Sequence, residues 1–137
     1  MIILDTNVIS EIMKPNPSLN VTTWIDNQDA SGLFISTITI AEICYGLNAL
    51  PEGNRRDILE TAFNKTITEA FEYNILSFDE ACAHVYGKIM ANRKKIGRPM
   101  GILDGQIAAT ACAHGFSVAT RNVSDFSDCG VDLINPF

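Results

Sequence analysis

Short apolar runs alternate with helix-forming segments along the whole chain. Five runs predict strands, at residues 2–4, 33–36, 74–76, 116–120 and 131–134. The segments between them carry apolar side chains three and four residues apart, as amphipathic helices do. This order of elements is the pattern of a parallel sheet with helices packed on both faces. It predicts an α/β fold.

Turn and capping residues set the expected ends of the helices. Ser77 and Glu80 have the spacing of a capping box, and Asp79 belongs to the same predicted cap. Gly97 and Gly115 each follow a helical segment and predict where it ends. The predicted helices cover residues 8–13, 19–26, 37–50, 54–67, 77–96 and 103–114.

The size of the chain favours a single domain over residues 1–137, with a core that needs no disulfide or structural metal. No apolar run approaches the roughly 20 residues of a membrane span. The start of the chain lacks the pattern of a secretory signal. We therefore expect a soluble, cytoplasmic protein that makes no membrane contact.

The cysteines and histidines show no metal-binding pattern. The 4 cysteines contain no C-x-x-C pair, and three of them fall in predicted helices at positions suited to packing. His84 and His114 have no partner at metal-ligand spacing. We expect reduced core thiols and no zinc site.

The charge of the chain argues against general electrostatic binding of nucleic acid. Its formal net charge is −6, whereas such binding depends on clustered Lys and Arg. Half of the basic residues fall in the segment 88–98, just before Asp104. A solvated helix face is the simpler interpretation of this run. A flank for a polyanion remains the alternative.

Acidic residues follow strands or begin helices at several points. Asp5 follows the first strand, Asp125 follows a later one, and Asp104 opens a helix, while Glu42 lies in an almost uncharged helix. The carboxyl ends of parallel strands meet at one edge of a sheet, so these carboxylates are expected to converge there. Converging carboxylates repel one another unless a cation lies among them, and oxygen ligands suit Mg²⁺ or Mn²⁺.

Each of these acids also has a purely structural interpretation. Asp5 and Asp104 can be helix N-caps, and Asp125 can be a turn residue. Glu42 can lie on a solvent-exposed helix edge; if its helix is buried instead, its carboxylate needs a cation. The functional interpretation depends on their convergence.

Four segments carry a resemblance to a known family. They are MIILDTNVISEIMKP, TITIAEICYGL, GRPMGILDGQIAATACAHG and VATRNVSDF, in that order. Together they resemble the PIN-domain nucleases, in particular the VapC and FitB type toxins. The resemblance implies a three-layer α/β/α sandwich with a central parallel sheet of four to five strands. It also implies the toxin of a type II toxin–antitoxin system, an endoribonuclease that hydrolyses RNA with Mg²⁺ or Mn²⁺.

The resemblance also assigns the acids. Asp5, Glu42 and Asp104 match the first three family acids, each expected to bind metal directly or through water. The fourth acid directly follows the Thr-Arg pair in some members, where this chain has Asn122, and lies three residues later in others, where it has Asp125. We predict that Asp125 is the charged member and Asn122 a hydrogen-bonding neighbour. One firmly held ion is the expectation.

Polar neighbours and partners follow from the same resemblance. Thr6 and Asn7 match the polar pair beside the first acid, and Thr120 matches the hydroxyl position that supports it. A small DNA-binding antitoxin is the implied partner, together with a homodimer inside a hetero-oligomer. Three arginines are the predicted contacts to RNA phosphate: Arg93, Arg98 and Arg121.

Two other functions stay open at this point. A phosphatase could use Asp5 as its nucleophile, although that chemistry usually has a second Asp where this chain has Asn7. A catalytically silent module of the same fold could bind RNA or protein without cleaving it. A nucleotide-cofactor enzyme is disfavoured, because the chain has neither G-x-G-x-x-G nor a Walker element.

Overall fold

The structure is a computed structural model that describes residues 1–137. Its centre is a five-stranded sheet in the order β3-β2-β1-β4-β5, and every pairing is parallel. The strands are β1 (Ile2–Leu4), β2 (Leu33–Ser36), β3 (Ile75–Leu76), β4 (Ser117–Ala119) and β5 (Leu133–Ile134). The predicted α/β fold with a parallel sheet is confirmed.

Seven helices surround the sheet. They are α1 (Thr6–Ile12), α2 (Leu19–Asp26), α3 (Thr37–Ala49), α4 (Asn54–Ala70), α5 (Glu80–Lys95), α6 (Ile102–His114) and α7 (Val123–Phe126). None of them combines the length and the apolar composition that a membrane crossing needs.

The alternating side chains of the strands divide the core into two layers. In β1, Leu4 packs into a cluster with Ile43 of α3 and Phe63 of α4, whereas Ile3 packs into a second cluster with Ile107 of α6. Successive residues of a strand face opposite sides of the sheet, so both faces are covered by helices. This arrangement is the three-layer sandwich that the resemblance implied.

The chain order reverses at the centre of the sheet, where β1 has β2 on one side and β4 on the other. In open parallel sheets the crevice outside the carboxyl ends of the strands at this point is the usual ligand site. Asp5, Thr37 and Thr120 directly follow β1, β2 and β4. The topology therefore brings these three chain segments to one edge.

Two helix starts differ from the predictions. The cap of α5 is Asp79, whose carboxylate accepts a hydrogen bond from the Cys82 N–H at 3.0 Å, and the Ser77 capping box does not form. This hydrogen bond also lowers the pKa of Asp79. Helix α6 begins at Ile102 after Gly101, so Asp104 lies in its first turn and is not its N-cap.

Candidate active site

Asp5 lies between the first strand and the first helix. Its backbone N–H bonds the carbonyl of Ala119, and its carboxylate caps α1 by accepting a hydrogen bond from the Thr6 N–H at 2.8 Å. The other carboxylate oxygen accepts hydrogen bonds from Asn7 Nδ2 and Thr120 Oγ1, both at 2.8 Å. Asp5 is only 4% exposed. Its orientation is therefore fixed, and the capping role coexists with a place at the sheet edge.

Thr120 and Asn7 tie Asp5 to the segment that follows β4. Thr120 Oγ1 accepts a hydrogen bond from the Asn122 N–H at 3.0 Å and lies 3.2 Å from Asn7 Nδ2. Asn7 Oδ1 accepts a hydrogen bond from the Arg121 N–H at 3.2 Å. These bonds hold residues 120–122 beside the carboxylate of Asp5.

Glu42 reaches the same edge from α3. Thr6 Oγ1 donates a hydrogen bond to Glu42 Oε1 at 2.8 Å and lies 3.1 Å from Thr39 Oγ1. The side chain of Glu42 is half-buried, so its helix is not enclosed as its composition suggested. The hydroxyl of Thr6, and not a cation, is thus its partner in the structure. Because Thr6 follows Asp5 directly, this contact also places the two acids close together.

Asp104 completes a pocket whose lining contains no hydrophobic residue. The half-buried Asp104 carboxylate accepts no hydrogen bond from another protein group. We call this cavity, of about 340 Å³, the acid pocket. It is lined by Asp5, Thr6, Asn7, Ser10, Glu11, Lys14, Glu42, Asp104, Arg121 and Asn122.

The acids of this edge repel one another. Burial raises the pKa of Asp5, and the charges of Glu42 and Asp125 raise it further, which outweighs the hydrogen bonds from Thr120 and Thr6. Burial also raises the pKa of Asp104, with added effects from the charges of Asp5 and Asp125. Asp5 and Asp104 are therefore harder to ionise, in part because other acids lie near them.

These oxygen donors suit a hard divalent cation. Carboxylates, hydroxyls and two amides line the acid pocket together with Lys14 and Arg121, and no thiol or imidazole does. Mg²⁺ and Mn²⁺ favour such oxygen ligands. A cation would relieve the repulsion that raises the pKa values of Asp5 and Asp104. As the side chains are placed, however, no three His, Cys, Asp or Glu residues lie close enough together to hold one ion.

The two candidates for the fourth acidic position differ in location. Asn122 lines the acid pocket, whereas Asp125 is exposed on α7 and does not line it. The charge of Asp125 still raises the pKa of both Asp5 and Asp104, so it lies within electrostatic reach. The roles of both residues toward a metal stay predictions.

The three predicted RNA-binding arginines have different environments. Arg93 is only 3% exposed, and its guanidinium bonds three backbone carbonyls, so it is not available to RNA; that expectation was wrong. Arg98 forms an exposed ion pair with Asp128 at 2.8 Å. Arg121 lines the acid pocket and is about half exposed.

Two charged residues of the acid pocket, Glu11 and Lys14, were missed by the sequence reasoning. Glu11 is 6% exposed, and its carboxylate contacts Lys14 Nζ at 2.6 Å and Arg121 Nη2 at 3.3 Å. The Glu-x-x-Lys spacing at the end of α1 could have indicated the first contact. The second joins residues that are 110 positions apart, which no local pattern shows.

Comparisons with known proteins support this description of the chain. The PIN domain family matches residues 2–130. The chain belongs to the PIN domain family. The resemblance drawn from the four sequence segments is thereby confirmed.

Individual relatives match over almost their whole length. This PIN domain is 46% identical to VapC ribonuclease Y4jK of Sinorhizobium fredii, over 100% of this chain and 98% of the relative. It is 38% identical to Toxin FitB of Neisseria gonorrhoeae, over 100% and 99% of the two chains. The solved structure of FitAB bound to the IR36 DNA fragment superposes with a TM-score of 0.92 at 38% identity, over 99% of this chain and 95% of the other.

Thr120 offers a test of how this PIN domain sets the ionisation of its buried acid. Thr120→Val removes a hydrogen bond that lowers the pKa of Asp5, so the pKa of Asp5 is expected to rise further. Carboxyl NMR titration of the metal-free protein measures it.

Thr110→Val is the matched control. Thr110 is also fully buried, but its hydroxyl donates to the Gln106 carbonyl within α6 at 2.8 Å. Both variants are expected to lose about 1–3 kcal/mol of unfolding free energy, since each gives up a buried hydrogen bond. Only Thr120→Val should change the Asp5 titration; equal titrations would contradict the assigned role of this hydroxyl.

Proposed function

We propose that this protein is the toxin of a toxin–antitoxin pair and an endoribonuclease that hydrolyses RNA phosphodiester bonds at the acid pocket with Mg²⁺ or Mn²⁺. The observation that carries the proposal is the convergence of Asp5, Glu42 and Asp104 on one polar cavity, where burial and mutual repulsion raise the pKa values of two of them. A structural role gives no reason to gather unpaired negative charge in this way.

The relatives support the same function. One of them is named as a ribonuclease and the other as a toxin, and both match this chain from end to end. The four acids, with Asp125 as the charged fourth member, are the residues we propose for catalysis. Thr6, Asn7, Thr120 and Asn122 are proposed as their polar supports.

A divalent cation is proposed as the cofactor, held by Asp5, Glu42 and Asp104 directly or through water. The charge of Asp125 lies within electrostatic reach of Asp5 and Asp104. When bound in such a site, this cation lowers the pKa of water and offsets the negative charge that develops on a phosphodiester during hydrolysis. Asp5 would keep one orientation, because three hydrogen bonds fix its carboxylate. Glu42 would be aimed by the hydroxyl of Thr6.

Asp104 is proposed to orient the attacking water. Its carboxylate is the one in the pocket that accepts no hydrogen bond from the protein, so both of its oxygens are available to water. No histidine lines the pocket, so the proton must pass to a carboxylate or to solvent.

An antitoxin is the proposed protein partner. The solved structure of FitAB bound to a DNA fragment contains a chain related to this one and supports a complex of this kind. An apolar groove of about 750 Å³ lies between α1, α3 and α4, and we propose that a segment of the partner lies in it. The groove shares four residues with the acid pocket: Thr6, Ser10, Lys14 and Glu42. A homodimer within this complex and a cytoplasmic location are proposed with it.

Removal of divalent metal is the experiment that tests the proposal. Purified protein is incubated with RNA, with and without EDTA, and then with excess Mg²⁺ or Mn²⁺. Cleavage is expected to fall at least about 100-fold in EDTA and to return with either ion, because the cation contributes several kcal/mol to the transition state. Product formation on a denaturing gel measures the rate.

A metal-independent ribonuclease in the same buffers controls for effects of EDTA on the RNA itself. Cleavage that persists in EDTA would contradict the proposal. Binding of RNA without cleavage under any metal condition would instead support the silent module. A phosphoryl adduct trapped on Asp5 would favour the phosphatase.

A further inference from the structure

Glu11 connects three parts of the chain at the rim of the acid pocket. Its side chain is 8% exposed, and one carboxylate oxygen contacts both Lys14 Nζ and Arg121 Nη2. The other oxygen accepts a hydrogen bond from the Ser18 N–H at 2.9 Å. Lys14 and Ser18 lower the pKa of Glu11, so this carboxylate stays charged. One nearly buried anion therefore holds two cations.

The two cations are open to solvent and close to the acids. The side chains of Lys14 and Arg121 are 56% and 51% exposed, and both line the acid pocket. Because they share one carboxylate, the group carries one uncompensated positive charge. The pair formed by Arg98 and Asp128 differs, since its two charges cancel.

Arg121 is held in place from several sides. Its guanidinium contacts Glu11 and lies 4.1 Å from the centre of the Phe137 ring, while its backbone N–H bonds Asn7. An arginine that is already oriented loses less side-chain entropy when it binds an anion. The guanidinium still exposes donors, because one carboxylate and one ring do not use all five.

We infer that Lys14 and Arg121 form a phosphate-binding rim for the RNA backbone beside the acid pocket, and that Glu11 is its positioning residue. The inference rests on the proposed function. A phosphodiester that approaches this pocket meets several carboxylates on a chain of net charge −6. A fixed excess of positive charge at the rim offsets that repulsion where the substrate must bind.

RNA binding by inactive protein tests the two cations. The probe is a short fluorescein-labelled single-stranded RNA, and its anisotropy is followed against Asp104→Asn protein with Mg²⁺ at several salt concentrations. Adding Lys14→Ala or Arg121→Ala is expected to weaken binding about tenfold, as for a lost hydrogen bond to a charged group. The slope of log affinity against log salt should decrease by about 0.7 for each lost contact.

Lys65→Ala is the matched control, because Lys65 is an exposed lysine on α4 that does not line the acid pocket. It should leave both the affinity and the salt slope unchanged. In the active protein, Lys14→Ala and Arg121→Ala should raise KM about tenfold and leave kcat within about twofold, since they bind substrate and transition state alike. Unchanged affinity and slope in both variants would overturn the inference.

Glu11→Gln tests the positioning role. The amide group cannot accept from Ser18 and from both cations, so Lys14 and Arg121 lose their fixed orientation. We expect KM to rise about threefold to tenfold. Arg121→Ala should raise KM by a smaller factor in the Glu11→Gln protein than in the unchanged protein, because the two residues are coupled. Thermal melting shows whether the variant is folded. Glu11→Asp, which keeps the charge, should have a KM between that of Glu11→Gln and that of the unchanged protein. A fall in KM for Glu11→Gln would mean that Glu11 only cancels positive charge, and would overturn its role.

These outcomes separate the inference from the proposed function. If cleavage needs metal but KM is unchanged in Lys14→Ala and Arg121→Ala, the inference is overturned and the proposed function is not. Loss of the proposed nuclease activity leaves the anisotropy result to decide whether the rim binds RNA.

Discussion

Asp104→Asn is expected to reduce RNA cleavage by on the order of 1000-fold while leaving the protein folded. The substitution removes the carboxylate that accepts no hydrogen bond from the protein and that we propose to orient water. It also removes a negative charge that the neighbouring charges of Asp5 and Asp125 oppose. The midpoint of thermal unfolding in metal-free buffer should therefore stay equal or rise, because the repulsion is relieved.

This combination of outcomes distinguishes a functional acid from a structural one. A structural carboxylate replaced by an amide lowers stability, whereas a residue held against repulsion for function does not. Asp132→Asn is the control, because Asp132 is exposed and lies outside the acid pocket. Cleavage near the normal rate by Asp104→Asn would remove this residue from the mechanism, and a large loss of stability would assign it a structural role.

Asp5→Asn is a less clean test of the same site. An asparagine there can still accept the Thr6 N–H, but its amide nitrogen meets the donors of Asn7 and Thr120. Its loss of cleavage would thus combine a missing charge with a disturbed hydrogen-bond network. Comparison of the two variants separates these contributions.

The order of strands and helices could be predicted because it depends on local apolar periodicity. The element ends were harder, as the start of α5 shows. Ser77 and Asp79 are both good capping residues, and only the path of the chain out of β3 decides that Asp79 reaches the Cys82 N–H. The end of β4 likewise depends on Thr120, whose side chain turns to Asp5.

The acids could be predicted from the rule that parallel strands end at one edge. Their partners could not, since Thr6 reaches Glu42 across 36 positions and Arg121 reaches Glu11 across 110. Such contacts depend on how helices pack on the sheet, which local patterns do not encode. The convergence of the acids was therefore predictable, but the hydrogen bonds that orient their carboxylates were not.

The prediction that Arg93 contacts RNA was wrong, and the sequence contained the information to avoid it. Its position in a run of bases suggested a solvated face, yet it lies four residues after the buried Ile89 and follows the same helix stripe. A charged residue on a buried stripe needs partners within the protein. The three backbone carbonyls of Arg98, Asp125 and Ser127 meet that need.

Arg93→Ala is expected to lower the free energy of unfolding by about 3–5 kcal/mol, because it leaves three carbonyls without their charged donor. A domain of this size has a total stability of about 5–15 kcal/mol, so this is a large fraction. Urea unfolding followed by circular dichroism measures the change. Arg98→Ala is the matched control, and its exposed pair with Asp128 should change stability by less than about 1 kcal/mol.

Arg93→Ala should also slow catalysis, because it disturbs the position of Asp125. The Arg93 guanidinium joins α5 to the backbone of Asp125 and Ser127, so it fixes the segment that carries the proposed fourth acid. Arg93→Lys keeps the charge but cannot reach all three carbonyls at once, and we expect it to recover only part of the stability. Two equal, small stability losses for Arg93→Ala and Arg98→Ala would show that the buried guanidinium does not hold this segment in place.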